Sequence, residues 1–417
     1  MQECIIRKGY HIKRKFSYYR LIEQLVLRDD PTWVPVDSKT APVGKSFKET
    51  LEMTKCRDQC DIPLLFTDLT WESNNTTTYI REFLEDEVDN SQDVTSPKEK
   101  RHMRAIPSCS VIRNAIPGYQ LMNDKYLLAK TLIGSPYSVP SVFIDSGKRI
   151  FNPLNIDISS KEQEKEKQQS GIWYLKDPLL NKSLGIQLFS NIEDVLENCS
   201  SEKRYLLQKE IIPLLLNEKY KFDVRVMVVL YFNKDETKLY LFKDGVVRST
   251  QKQYECNSLD KSSQLTNFCY QLELDPEFKN IYSLSEIDSQ YNQHFYNSIK
   301  VAVTDIFSRF IHKLNQMSPR NQGFTVWGLD FIFDQQTKSP HLLEMNLSPS
   351  MFQKSKPEIA EICQRFSKQL VPLFLDPLVN QQPQPTDTLD FVLLLSTKNT
   401  QNNTDNDNID SENDILF

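Results

Sequence analysis

Apolar positions recur along this chain with two different periods, and the change of period marks out its elements. Alternation places successive side chains on opposite faces of a strand. It runs through residues 139–144, 171–175, 205–208, 222–232, 237–242, 246–249, 324–333 and 341–346. Helical spacing runs through 16–27 (Tyr19, Ile22, Leu25, Val26), 124–133, 295–315 (Ile299, Ala302, Val303, Ile306, Phe310, Ile311) and 357–370. Asp244-Gly245, between two alternating runs, carries the tight-hairpin signal, so a turn is predicted there. The polar loop 335–339 predicts a second hairpin between 324–333 and 341–346. The apolar stretch 391–395 is too hydrophobic to be solvated and is predicted to dock as a short strand.

Strands and helices mixed in this order predict an α/β (α+β) fold, and 417 residues imply two or three domains. Residues 159–169 (SSKEQEKEKQQ) are charged and lack aromatics, with apolar patterns on both sides, so they read as a disordered insertion within a domain. The segment after Thr397 holds five carboxylates and one lysine, and so supplies −4 of the net −6. It reads as a disordered acidic tail. The predicted organisation is an N-terminal domain at 1–104, a middle lobe at 105–210, a C-terminal lobe at 211–396 and the tail at 397–417.

Composition narrows the function classes. A chain that is 39% hydrophobic and 25% charged is ordinary for a soluble globular protein. A net charge of −6 gives no overall basic field, so no nucleic-acid partner is expected. No apolar run approaches the roughly 20 residues of a spanning helix, and no apolar stretch follows the basic N-terminus, so neither a membrane partner nor a secretory signal is expected. The eight cysteines and five histidines are scattered without zinc spacing, and reduced thiols are expected. With only ten glycines, no P-loop or dinucleotide fingerprint occurs.

The chemistry-bearing residues fall on the strand patterns. On 341–346, Glu344 and Asn346 share a face, and a five-residue loop would set Asp330 opposite Glu344. Three hard oxygen donors would then converge, a set that suits Mg²⁺. The flanking Phe331, Phe333, Leu342 and Leu343 mark these strands as buried, where carboxylates need cations. On 221–226, alternation puts Lys221, Asp223 and Arg225 on one face and Phe222, Val224 and Val226 on the other. A polar cavity gives that pattern, and so does an exposed sheet face with a local Asp–Arg pair. Arg248 follows the predicted turn, and taken singly it reads as a surface arginine. Lys176 ends a strand before a loop with Lys182 and Gly185, as a phosphate cradle would. The stretch 207–211, with Gln208, Lys209 and Ile211, reads either as a hinge whose backbone meets an adenine edge or as a plain strand end.

Lysine before a loop, then a hinge, then a basic–acidic strand, then a carboxylate and a carboxylate-x-Asn on late strands is the order of parts in an ATP-grasp ligase. The phrases KFDVRV, YLFKDGVVRS, LTN and WGLDF…LLEMNLSPS, with IPGYQLMNDKYLLAKTL upstream, resemble the tubulin tyrosine ligase family of tyrosine ligases, glutamylases and glycylases. The resemblance covers roughly residues 105–395.

The resemblance implies an ATP-grasp fold with N-terminal, central and C-terminal lobes and ATP between the last two. It implies an enzyme that uses ATP and Mg²⁺ to join a free amino acid to a glutamate carboxyl of tubulin, or of another acidic protein, through an acylphosphate. By matching position, Lys125 and Lys176 would contact nucleotide phosphates. Gln208 would bond the adenine, beside backbone groups of Lys209 and Ile211. Lys221 and Asp223 would meet nucleotide polar groups, with Thr266 and Asn267 lining the same pocket. Arg225 would hold the transferring phosphate, Arg248 would orient the acceptor or the incoming amino acid, and Asp330, Glu344 and Asn346 would hold Mg²⁺. Basic stretches at 7–20 and 98–104 suit an acidic tail, and read equally well as solvated helix faces. A cytoplasmic site is expected, at the cytoskeleton or in a cilium.

The chain departs from the family in two places. Ser183-Leu184-Gly185 stands where the family has Gly-x-Gly, so Ser183 is expected to hinder backbone approach to phosphate. Gln264 stands where the family has His before Leu-Thr-Asn. The Leu-Ser-Pro-Ser after Asn346 is similar to the glutamylase and glycylase branch, whereas 381–394 is similar to tyrosine ligase. Tyrosine, glutamate and glycine all remain open. Two alternatives stand beside the ligase: a catalytically silent tubulin-binding scaffold, and an ATP-grasp ligase acting on a small molecule or peptide.

Overall fold

The computed structural model describes residues 119–398 apart from 146–148, 154, 156–170, 179, 181–182, 184, 234, 292–293, 318–321, 348 and 350–355. Before them it describes four short strands, β1 (Lys8–His11), β2 (Trp33–Pro35), β3 (Leu64–Thr67) and β4 (Ser110–Arg113). The expected helix at 16–27, the patch at 98–104, the insertion at 159–169 and the tail beyond Lys398 lie outside the described residues, as do Lys182 and Leu184.

The fold is mixed α/β, built on two sheets. After α1 (Gln120–Asn123) and α2 (Lys125–Thr131) come β5 (Ser141–Asp145), β6 (Arg149–Phe151), β7 (Trp173–Lys176), β8 (Ile186–Phe189), α3 (Ile192–Asn198) and β9 (Tyr205–Lys209). Their five strands form an antiparallel sheet in the order β6-β5-β9-β7-β8. Asp124 caps α2, its carboxylate accepting from the backbone N–H groups of Tyr126 and Leu127 at 2.8 and 3.0 Å.

The second sheet has eleven strands. It contains β10 (Leu215–Leu216), β11 (Tyr220–Phe232) and β12 (Glu236–Ser249). Helices α4 (Lys261–Gln264) and α5 (Phe268–Leu274), strand β13 (Ile281–Ser283), and helices α6 (Leu284–Gln290) and α7 (His294–Met317) follow. Then come β14 (Gln322–Phe333), β15 (Pro340–Leu347), α8 (Pro357–Leu370), a π turn at Val371–Leu375, α9 (Asp376–Asn380) and β16 (Phe391–Lys398). Pro357 opens α8, where a missing N–H costs nothing and a fixed φ is already helical. The sheet's centre is β12-β11-β14, all antiparallel, with β15 on β14 and β16 on β12. The strands at the N-terminus join this sheet through β4, which pairs with β14 at Gln322 and Gly323.

The two faces of this sheet carry separate cores. Phe222, Val224, Val226, Val228 and Leu230 of β11 pack under α7, against Phe295, Ile299, Val303, Ile306 and Phe310. The other face of the same strand turns Met227, Val229 and Tyr231 toward α8 and the π turn, against Ile362, Phe366 and Phe374. Toward its beginning, this second face of β11 changes character, to Arg225, Asp223 and Lys221. The same change runs through β14, from Phe324 and Val326 to Asp330, and through β12, from Tyr240 and Phe242 to Arg248. One end of one sheet face is therefore charged, and that end carries the site.

One expectation is corrected. The chain does not turn at Asp244-Gly245, because residues 236–249 are one continuous strand. The register passes from Val226 opposite Gly245 to Val228 opposite Leu241, so β12 carries two extra residues as a bulge. Asp244 and Gly245 serve this bulge. A Cβ on Gly245 would lie 2.6 Å from the Arg225 carbonyl oxygen, so the close approach of β11 requires glycine. The Asp244 carboxylate is buried and accepts from Ser285 N at 3.1 Å and from Arg365 Nη2 at 3.1 Å. The loop predicted at 335–339 does form a hairpin, with Asp330 opposite Glu344. The stretch predicted to dock near the C-terminus is β16, on the edge of β12.

Candidate active site

The charged end of the large sheet faces the five-stranded sheet across a cleft of about 950 Å³, counted out to its open mouth. That size is at the upper end of small-molecule sites. Lys125, Lys176, Gln208, Lys209, Ile211, Lys221, Asp223, Arg248, Thr266, Asn267, Asp330 and Glu344 all line it. Arg225 and Asn346 stand one contact back, against Asp330 and Glu344. Residues as far apart in the chain as Lys125 and Glu344 thus meet in one place.

Strand register sets the geometry at the base of the cleft. Asp223 is opposite Arg248, Arg225 is opposite Asp330, and Asp330 is opposite Glu344. Directly opposed residues on one face lie within side-chain reach. Arg225 donates both Nε and Nη2 to Asp330, each at 2.7 Å. Arg248 donates Nε to Asp223 at 2.6 Å and lies with Nη2 3.0 Å from Asp330. The Thr266 hydroxyl donates to the other oxygen of Asp223. Burial would raise the pKa of Asp330, but the Arg225 and Arg248 charges overcome it and hold this carboxyl below the usual carboxylate range. Burial raises Asp223 to about 6 against the pull of Arg248.

The rim of the base holds the candidate metal donors. Asn346 donates its Nδ2 to Glu344 Oε1 at 3.0 Å, which leaves its own carbonyl as an acceptor, and Lys125 Nζ lies 3.8 Å from Glu344 Oε2. Among the described residues no cluster of three or more His, Cys, Asp or Glu is placed to hold a metal. The set is instead two carboxylates and one amide oxygen, hard donors whose chemistry fits Mg²⁺ with phosphate oxygens completing its shell.

On the opposite wall stands Lys176, buried, with no hydrogen-bond or ion-pair partner among the described residues. Burial lowers its pKa to about 8 against the pull of Glu344, with the Lys125 and Lys221 charges adding to the lowering. A buried ammonium with no hydrogen-bonded counter-ion among the described residues is placed to meet an anion. Lys125 donates to the Leu180 carbonyl at 3.1 Å, tying α2 to the loop after Lys176. In that loop Ser183 sits at φ 63° and lines the cleft. The serine thus holds the left-handed backbone that glycine adopts most readily.

Sequence reasoning placed Lys221 among groups that meet the nucleotide. In the structure all three of its N–H bonds have protein partners: Tyr174 Oη at 2.6 Å, Gln264 Oε1 at 3.0 Å and Glu210 Oε1 at 3.3 Å. Glu210, which sequence reasoning missed, is the centre of this network. It also accepts from Tyr254 Oη at 3.2 Å and from Ile172 N at 3.2 Å. It therefore joins the start of β7 to β11 and to the segment after β12, one sheet to the other. The available signal was the alternation that puts Glu210 on the same side as Gln208 in a strand of buried residues.

Residues 146–384, more than half of the chain, match the model of the tubulin-tyrosine ligase family. Tubulin glycylase 3B of Drosophila melanogaster is 24% identical over 225 residues, 49% of this chain and 29% of that protein. The probable tubulin polyglutamylase TTLL2 of Mus musculus is 28% identical over 204 residues, 45% of this chain and 36% of that protein. The tubulin polyglutamylase TTLL5 of Homo sapiens is 26% identical over 205 residues, 43% of this chain and 16% of that protein. The match thus spans between 16% and 36% of the length of these curated relatives. It belongs to the tubulin-tyrosine ligase family.

Proposed function

We propose that this protein is an ATP-dependent ligase that joins an amino acid to a glutamate side chain of tubulin, or of another acidic protein tail, with an ATP-grasp arrangement of lobes at 105–210 and 211–396. The observation that carries the reading is the convergence of Arg225 and Arg248 on Asp330, in register with Glu344 and across the cleft from buried Lys176. Those groups supply what two anions brought into bonding distance require. The relatives named as tubulin glycylases and polyglutamylases support tubulin as acceptor. A cytoskeletal location follows from that acceptor, and no helix among the described residues is long and apolar enough to cross a membrane.

The acceptor carboxylate attacks the γ-phosphorus of ATP, ADP leaves, and an acylphosphate forms. The amine of the incoming amino acid then attacks the acyl carbon, phosphate departs and the amine loses a proton. Lys176 and Lys125 hold phosphate oxygens from the loop side. Arg225 and Arg248, their guanidinium planes fixed by Asp330 and Asp223, stabilise charge spread over the phosphoryl group in flight. Pre-oriented donors of this kind need no reorganisation at the moment of reaction. Asp330, Glu344 and the Asn346 carbonyl would hold Mg²⁺, which when bound supplies charge neutralisation at the phosphates. Lys221 acts from behind, through Tyr174, Gln264 and Glu210.

Incorporation of labelled glycine, glutamate or tyrosine into purified tubulin with Mg·ATP tests the reading, with Glu344→Gln as the blank. A second reading, a silent scaffold, is favoured by Ser183 in a glycine conformation and by the internal partners of Lys221. It requires that Mg·ATP leave the melting temperature unchanged.

A further inference from the structure

Ser141 and Gln208 are opposed residues on β5 and β9, so their side chains share a face of the five-stranded sheet. Both are buried, and Gln208 lines the cleft. The Ser141 hydroxyl donates its one proton to the Val139 carbonyl at 2.7 Å. Its oxygen can then only accept, and Gln208 Nε2 donates to it at 3.0 Å. This relay decides which way the amide points. With Nε2 held by Ser141, Oε1 is left buried and without a hydrogen-bond partner among the described residues. Flipping the amide would put Oε1 against an oxygen that has no proton to give. A buried acceptor with no partner costs stability, and a ligand that supplies a donor relieves it.

We infer that Ser141 is a specificity-determining residue for the nucleotide base: by holding Gln208 Nε2 it leaves Oε1 as the atom this cleft-lining residue offers a base, and so selects a base with an amino group at its six-position and rejects one with an oxo group there. Adenine offers that amino donor at its six-position, where guanine offers an oxygen. A site built around a hydrogen bond rejects the analogue lacking the matching group far more strongly than an apolar pocket would. The inference rests on the ligase reading in that it takes the cleft as a nucleotide site. Ser141 itself touches no ligand and acts through Gln208.

The test is titration calorimetry of the full chain with Mg·ATP and Mg·GTP, using wild type, Ser141→Ala and Ser141→Thr. Wild type should prefer ATP. In Ser141→Ala the Gln208 amide loses its tether and can turn its nitrogen toward the cleft, so the ATP:GTP affinity ratio should fall by about tenfold or more. Part of that fall should be a gain in GTP affinity, which damage to the fold would not produce. Ser141→Thr keeps the hydroxyl and should restore the wild-type ratio. An unchanged ratio in Ser141→Ala, with ATP still bound, overturns the role of Ser141 and leaves the ligase reading intact. Wild type that binds neither nucleotide overturns both.

Discussion

Arg225 and Asp330 stand opposite each other on neighbouring antiparallel strands and meet through two parallel hydrogen bonds of 2.7 Å. The pair is buried, and Arg248, one strand further away on β12, reaches the same carboxylate at 3.0 Å. Two guanidinium groups on Asp330, with Asp223 behind, form a charged lattice whose members cannot be changed singly without leaving a charge uncompensated. Asp330→Asn should therefore destabilise the fold by roughly 3–5 kcal/mol, the usual cost of breaking a buried pair. Urea denaturation would show it as a lower midpoint with the slope preserved. Arg225→Lys keeps the charge but not the fork, and should lose ligation while losing less stability.

Glu344 has a different place in the same assembly. It is half-buried at the rim, and its neighbours are Asn346 and Lys125. Glu344→Gln keeps the volume and removes one negative charge. Ligation should fall to background while the melting temperature stays within a few degrees of wild type. The metal assignment is wrong if Glu344→Gln turns over at the wild-type rate.

Lys176 predicts a pH dependence. Its folded-state pKa, about 8, lies below the ordinary lysine value of 10.5. The unfolded chain therefore holds more protons than the folded one between those values, and the ligand-free protein should gain stability from this group as pH rises from about 8 toward 10.5. Anion binding has the opposite sign, since phosphate needs the charged form. Affinity for Mg·ATP should weaken as pH rises through about 8, a trend that Lys176→Arg would flatten. Calorimetric titrations from pH 7 to 9.5 would follow both variants.

Glu210 and Lys221 predict a coupling. Their ion pair, 3.3 Å long and nearly fully buried, ties the two sheets together. Removing the carboxylate in Glu210→Ala strands a buried ammonium and should cost several kcal/mol. Glu210→Ala combined with Lys221→Met should cost less than the sum of the two single changes. A double-mutant cycle in denaturant measures the difference, and simple additivity would show that the pair carries no coupling.

Gly245 is required by the backbone. An alanine there would drive its Cβ to 2.6 Å from the Arg225 carbonyl oxygen, an atom of the strand that holds the site. Gly245→Ala should lower stability by about 1–3 kcal/mol and should reduce ligation as well, because the strand that must shift carries Arg225. Thermal denaturation and turnover should fall together.

Much of this arrangement was legible in the alternation of single strands. Lys221, Asp223 and Arg225 on one face, and Asp330 facing Glu344 across a five-residue loop, follow from a period of two and a hairpin of fixed length. The β12 bulge did not follow. Asp244-Gly245 has the chemistry of a tight turn, and only tertiary facts convert it to a strand: the Asp244 carboxylate has partners at Ser285 and Arg365, and the glycine faces β11. Glu210 was hidden for the same reason. A carboxylate near a strand end looks solvated until Lys221, Tyr174 and Tyr254, all distant or on other elements, are brought around it.

The proposed reaction is transfer of phosphate from ATP to a protein carboxylate followed by its displacement by an amine. It is tested most directly by counting ADP released and labelled amino acid incorporated in the same reaction with tubulin, offering glycine, glutamate and tyrosine singly. One amino acid should be incorporated with one ADP released per label, and neither product should form with Glu344→Gln. Incorporation accompanied by AMP instead of ADP, or label equal in wild type and Glu344→Gln, would contradict it.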